Sequence, residues 1–296
     1  MGTRDGPARS GRMKPGISCC LISNAMSGSN DTVALDAVRT SCAGGGLTIV
    51  RDVSFPDDPL PAPADLDAAG IALVAIFTGD GTLNAALDKL AGWSGSVLVL
   101  PGGTQNLLAK RLHGDATADE VLARFAAGGA RPQRPSIIRC PAGHAYAELQ
   151  AGPGTVWHRV REAMREGSVL EMAQQGAAAM TETLAAPGIA CRHPALGRAE
   201  GYPLIVLKAH DSGIAVTAYH AEDAGDMMAQ ALALLQRNFR EGPHDDLGEV
   251  QRITLASVDG QVFGLLLDGE PADPGASSTF ELAAITVDLL ATRADG

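Results

Sequence analysis

Aromatic residues are scarce in this chain: two Trp, three Tyr and six Phe amount to 4% of 296 residues. A core built from so few rings must rely on aliphatic and small side chains, and 35 glycines and many alanines permit the close packing this needs. No apolar run approaches the ~20 residues of a bilayer-spanning helix. The five cysteines (Cys19, Cys20, Cys42, Cys140, Cys191) are odd in number, scattered and without a C-x-x-C pair. That spacing argues against a disulfide frame or a zinc site and for reduced thiols of the cytosolic kind. Positive charge is also short, 23 Lys and Arg against 34 Asp and Glu for a net −11. This excludes nucleic acid as the main partner and a strong standing attraction to anionic membranes. The seven histidines show no H-E-x-x-H spacing, and no serine sits in G-x-S-x-G, so zinc-peptidase and serine-hydrolase chemistry find no support. The first sixteen residues lack an apolar core of signal-peptide length and read as a flexible leader, 1–16.

What is present is an alternation. Ile17–Ser23 is an apolar strand that runs into Asn24-Ala25-Met26-Ser27-Gly28, followed by an amphipathic helix over 31–43, with Asn30 or Asp31 as cap. Gly44-Gly45-Gly46 ends that helix and Leu47 opens a second strand. A Pro/Asp-rich loop and a short helix over 64–69 lead to the apolar run Ile71–Phe77. This run stops at Thr78-Gly79-Asp80-Gly81-Thr82-Leu83-Asn84, where Thr82 is placed to cap a helix reaching about Leu90. Another run, Val97–Leu100, opens into Pro101-Gly102-Gly103-Thr104-Gln105-Asn106 before a helix to Leu112. Strand–helix units at this spacing predict a parallel sheet covered by helices on both faces. Beyond Arg131-Pro-Gln-Arg-Pro135 the texture shifts to short strands, with helical stretches only near 156–184 and 223–239, which predicts a second, β-rich antiparallel domain. The charge is uneven too: residues 104–165 carry nine Lys and Arg against five acids, a local basic face that suits phosphates or is simply solvated.

In a parallel sheet ligands gather at the carboxyl ends of the strands, and three small polar loops stand there. The strand-to-helix junction around Gly79 is an anion site by construction, since the first N–H groups of a helix lack internal partners and glycine lets a phosphate approach. Asp80 puts a carboxylate beside it, where a metal-bound phosphate would lie.

Four landmarks, Asn24-Ala-Met-Ser27-Gly28, Thr78-Gly-Asp80-Gly-Thr82-Leu-Asn84, Gly103-Thr104-Gln-Asn106 and Asp268-Gly269-Glu270, resemble in order and spacing those of the diacylglycerol kinase catalytic-domain family, which includes bacterial lipid kinases and sphingosine kinases. The family forms are N-P-x-S-G, G-G-D-G-T-L-N, G-T-x-N and D-G-E. The resemblance implies a Rossmann-like ATP-binding α/β domain over 17–130 and a β-rich, sandwich-like acceptor domain over 131–296. It implies transfer of the γ-phosphoryl of ATP–Mg²⁺ to a lipid hydroxyl, of diacylglycerol or a related lipid. Asn24, Ser27, Gly28, Gly79, Gly81, Thr82, Asn84, Gly103, Thr104 and Asn106 are then the nucleotide-binding set. Asp80, Asp268 and Glu270 are the catalytic set, with Glu270 as the base and Asp80 acting on the metal; no set of metal ligands is named. The protein is expected in the cytoplasm, with transient peripheral contact at the inner membrane face.

The sequence departs from the family at several points: Thr78 stands for a Gly, Ala25 for a Pro, Leu107 for a frequent Asp and Ser136 for an Asp. The family's Asp-Gly turn is shortened to Asp211-Ser212-Gly213, with Asp211 as the stand-in acid. With fewer acids around the metal, two other readings stand beside the lipid kinase: a nucleotide-binding member without catalysis, and a kinase of a soluble acceptor such as NAD.

Overall fold

The computed structural model describes residues 16–24, 32–156, 158, 187–220 and 243–293. Residues 1–15 of the expected leader, the caps Asn30 and Asp31, the loop residues Ser27 and Gly28, the expected helical stretch near 156–184 apart from Val156 and His158, and that over 223–239 lie outside the described residues.

In chain order the first half runs β1 (Ile17–Ser23), α1 (Thr32–Gly44), β2 (Leu47–Ser54), α2 (Pro63–Ala68), β3 (Leu73–Thr78), α3 (Asp80–Lys89), β4 (Ser96–Pro101), α4 (Leu107–His113) and α5 (Ala118–Ala126). Parallel pairing gives the order β2-β1-β3-β4. Every residue of β3 is buried, as are the inner residues of β4, because helices cover both faces. Alternate residues face opposite ways, so two apolar clusters form. Cys20, Ile22, Ile76 and Val99 meet α2, α3 and α4 through Leu66, Leu87 and Leu112. Cys19, Leu21, Ala75 and Leu98 meet α1 and α5 through Val38, Cys42, Val121 and Leu122. Helix α5 is absent from the sequence expectations, although Thr117 and Glu120 form a capping box at its start.

The strands of the second half are β5 (Arg131–Gln133), β6 (Ser136–Cys140), β7 (Gly143–Ala145), β8 (Glu148–Ala151), β9 (Ile189–His193), β10 (Ala195–Leu196), β11 (Leu204–Ala209), β12 (Ile214–Tyr219), β13 (His244–Val250), β14 (Arg252–Ser257), β15 (Leu265–Leu267), β16 (Glu270–Ala272), β17 (Ser277–Ala284) and β18 (Asp288–Ala291). They make two antiparallel six-stranded sheets, β10-β9-β14-β17-β6-β7 and β13-β12-β11-β8-β15-β16. Between the sheets lies an aliphatic core that includes Ile138, Leu149, Ile205, Leu255 and Phe280. The expected single strand over 283–290 is two. β17 stays in the second half, whereas β18 pairs parallel to β4 and antiparallel to β5, completing the first sheet. Both added strands lie beyond the 130/131 division expected from sequence. The reason is edge protection: without β18, β4 would present an unpaired buried edge.

His113 locks this return. Its ring is buried, one nitrogen 2.9 Å from the Val99 carbonyl oxygen and the other accepting from the Thr292 N–H at 3.2 Å. All five cysteines are buried and unpaired.

Candidate active site

The strand order reverses direction at β1 and β3, so the loops leaving these two strands diverge and open a crevice at their carboxyl ends. The expected loops meet there. Asn24, just past β1, donates from Nδ2 to Thr82 Oγ1 at 2.8 Å. Thr82 therefore serves as an acceptor on the first turn of α3, not as its cap. The helix begins earlier than expected, at Asp80, because Gly79 is extended (φ −77°, ψ 170°) and takes the cap position with no side chain to fill it. The first amides of α3 are left without a side-chain cap.

The loop after β4 is held against this turn. A Cβ on Gly103 would lie 2.5 Å from Gly79 Cα, so only glycine allows the two loops to touch. Asn106, at φ 52°, closes its own loop: Oδ1 accepts from Gly103 N–H at 2.7 Å and Nδ2 donates to Gly103 O at 2.8 Å. Thr104 is exposed on that loop.

The late motif reaches the same place. A Cβ on Gly81 would stand 2.6 Å from Glu270 Oε1, so the Glu270 carboxylate lies directly over the Gly81 turn. A Cβ on Gly269 would be 3.4 Å from Gln105 Oε1 on the β4 loop. Glu270 itself is exposed, with its carboxylate at the rim.

Asp268 points the other way. It is buried at φ 50° and its carboxylate accepts four hydrogen bonds: Tyr146 N–H (2.6 Å), Ala147 N–H (2.8 Å), Glu148 N–H (2.8 Å) and Asn84 Nδ2 (2.9 Å). Burial pushes its pKa up and the four donors pull against that rise. Asp268 and Glu270 do not share one face: the left-handed residues Asp268 and Gly269 turn the two side chains apart. The carboxylate that Asp268 acts on is that of Asp80.

Asp80 is partly buried and accepts from the Leu107 N–H at 3.0 Å, capping the start of α4 from a neighbouring element. Its pKa rises to about 6, mainly through burial and then through Asp268, with the α4 amides opposing the rise. This side chain braces two loops as well as facing the crevice.

Two residues missed by sequence reasoning join the halves. Tyr146 donates its N–H to Asp268 and its hydroxyl to Asp88 Oδ1 of α3 at 2.6 Å. Arg111 of α4 donates from Nη1 to the carbonyl oxygens of Ser136 (2.6 Å) and Tyr146 (3.2 Å). Arg111 was visible only as one charge in the basic stretch, and a lone Tyr between short strands carries no motif. Asp211 is 93% exposed on the far lip, 3.9 Å from Arg111 Nη2, and does not reach the Gly81 turn through any contact among the described residues. No group of three or more His, Cys, Asp or Glu side chains among the described residues is arranged to hold a metal ion.

Residues 18–135 match the family model of the diacylglycerol kinase catalytic domain. Solved structures from Bacillus anthracis str. Sterne share the fold. One, a diacylglycerol kinase, superimposes at a TM-score of 0.60 with 13% identity, covering 94% of this chain and 98% of that one. Another, described only as a candidate diacylglycerol kinase, gives 0.57 and 14% with the same coverage. At such identities the likeness is one of fold. No curated protein matches the chain in sequence. The Gly81 turn and the loops around it lie within the segment that matches the diacylglycerol kinase catalytic-domain model.

Proposed function

We propose that the protein is an ATP-dependent lipid kinase that moves the γ-phosphoryl group of ATP–Mg²⁺ to the hydroxyl of diacylglycerol or a related lipid. The observation that carries this reading is the Glu270 carboxylate over Gly81, against the uncapped start of α3. ATP with Mg²⁺ supplies the transferable group and part of the charge neutralisation. The phosphates fit the donor set: α3 begins at a glycine with no side-chain cap, and Gly79, Gly81 and Gly103 keep the turn bare. Mg²⁺ fits only in company with the phosphates, since the described residues form no cage for it and such ions commonly take one or two carboxylates plus phosphate oxygens.

In this reading the α3 amides and the Thr82 and Thr104 hydroxyls hold phosphate oxygens, and Ser27 and Gly28, outside the described residues, keep the nucleotide-binding role that the family resemblance implies. Asn24, Asn84 and Asn106 set the loops. Glu270 accepts the proton as the acceptor oxygen bonds to phosphorus, the bond to the leaving oxygen breaks, and the diphosphate departs with its charge. Asp80 and Asp268 keep the turn and Glu270 in register. The acceptor is received by the half that begins near residue 131, at the cytoplasmic membrane face and by transient contact. No helix among the described residues is long and apolar enough to cross a membrane.

Labelled ATP with Mg²⁺ over extracted lipids tests the reading. A labelled lipid formed by the wild type and lost in Glu270→Gln supports it. A second reading, nucleotide binding without catalysis, draws on the commitment of Asp80 and Asp268 to N–H donors. Protection by ATP against thermal unfolding, with no labelled product, would select it.

A further inference from the structure

Beside the carboxylate pair, Leu107, Arg111, Ala147, Glu148, Lys208 and Asp211 line a cleft of about 440 Å³ between α4 and the β8–β11 edge. It abuts the site directly. Leu107 is the residue whose N–H binds Asp80, and Ala147 and Glu148 supply two of the N–H groups that bind Asp268. Its charges are unequally matched. Lys208 is closed by Glu148 at 3.0 Å, and the other Glu148 oxygen accepts from Gln150 at 2.8 Å. His210 is exposed, its N–H given to the Gly213 carbonyl oxygen.

Arg111 is different. Its side chain is only 25% exposed, and its Nη1 is spent on the Ser136 and Tyr146 carbonyl oxygens. The opposite edge, Nε and Nη2, donates no hydrogen bond among the described residues. That edge is the side-on fork a guanidinium uses to grip two oxygens of a phosphate or carboxylate. Its one carboxylate neighbour across the cleft, Asp211, stands 3.9 Å away and 93% exposed, too distant for a hydrogen bond and easily displaced. Burial pushes the guanidinium down from its ordinary value, with Asp211 and Asp268 opposing.

We propose that the acceptor carries an anionic group close to its reacting hydroxyl, and that the free edge of Arg111 receives that anion in this cleft. The inference rests on the kinase reading and moves its acceptor from neutral diacylglycerol to a related lipid: a hydroxyl compound with a neighbouring phosphate or carboxylate is preferred over a neutral one. The displaced Asp211 side chain moves into solvent, and the closed Lys208–Glu148 pair forms the neutral wall.

Two measurements test it. In calorimetry with the protein saturated by a non-hydrolysable ATP analogue and Mg²⁺, glycerol 3-phosphate is expected to bind and glycerol not. Arg111→Lys, which keeps a charge but loses the fork, is expected to weaken binding about tenfold, and Asp211→Asn to tighten it about threefold. The second variant removes only an exposed charge and guards against misfolding in the first. Inorganic phosphate binding as tightly as glycerol 3-phosphate would identify a free-phosphate site and overturn the acceptor claim. Competition between glycerol 3-phosphate and ATP would also overturn it by assigning Arg111 to the nucleotide.

In turnover, vesicles carrying lysophosphatidate are expected to accept label better than matched vesicles carrying monoacylglycerol, with the preference lost in Arg111→Lys. Equal or better transfer to monoacylglycerol sinks the inference and leaves the kinase reading standing. If neither lipid is labelled and ATP fails to bind, the kinase reading falls, and the acceptor assignment falls with it.

Discussion

Asn84 on α3 and Asp268 in the turn before β16 are 184 positions apart in the chain and joined by a 2.9 Å hydrogen bond. Through it the helix whose first turn faces the crevice also fixes the base of the turn that carries Glu270. The first amides of α3 and the late carboxylate are thus held by one element, and their separation does not depend on the long chain between them.

This makes the three carboxylates separable by experiment. Asp268→Asn puts an amide donor where four N–H groups now point. It is expected to cost about 2–3 kcal/mol in urea unfolding, because buried donors lose their acceptor. Glu270→Gln, at an exposed position, is expected to change stability by less than about 0.5 kcal/mol.

Activity should rank the other way. With Mg²⁺–ATP and an accepted lipid, Glu270→Gln is expected to lower kcat by a factor of about 10²–10⁴ while ATP binding persists. Gly81→Ala is expected to act in the same direction, since the new methyl would occupy the place of Glu270 Oε1. The exposed carboxylate is able to swing away, so the fold should survive. A kcat unchanged in both variants would remove Glu270 from the chemistry.

Asp80 gives a pH signature in the protein free of nucleotide and metal. Its pKa is about 6 in the fold, against 3.8 ordinarily, so between these values the folded chain holds a proton that the unfolded chain has released. Its contribution to stability is greatest below about pH 4 and is lost as pH rises through 6. Asp80→Asn should flatten that slope, read as the urea midpoint from pH 4 to 7.

His113 works in the opposite sense. Burial lowers its pKa from 6.5 to about 4, so as pH falls through 6.5 the unfolded chain gains a proton the folded ring refuses. Stability from the neutral ring is complete above pH 6.5 and falls by up to about 3 kcal/mol towards pH 4. His113→Gln should be less stable at pH 8 but lose less on acidification. An identical pH slope in variant and wild type would contradict the buried neutral ring.

The strands and the glycine loops of the first half were legible in the sequence, because both are written locally. Cys19–Ile22 and the run before Thr78 are apolar without interruption since helices cover both faces of the sheet. The glycine at 103 marks a close approach that a Cβ would block, and the glycine at 81 the place where the Glu270 side chain comes down on the turn. Asp80 was expected at the crevice from its place in the Gly79 turn and Glu270 only through the family resemblance; the Glu270 carboxylate lies over Gly81.

Tertiary structure alone decided what each acid does. Asp268 is held by amides more than a hundred positions earlier, Asp80 caps a helix it does not belong to, and the free edge of Arg111 faces the cleft because its other edge is fixed on Ser136 and Tyr146. The same holds for β18, whose place beside β4 depends on an edge left unpaired by the rest of the sheet. Apolar periodicity and turn glycines record the needs of neighbouring residues. A carboxylate's partners depend on which backbone groups folding leaves unpaired nearby, and no local pattern carries that information.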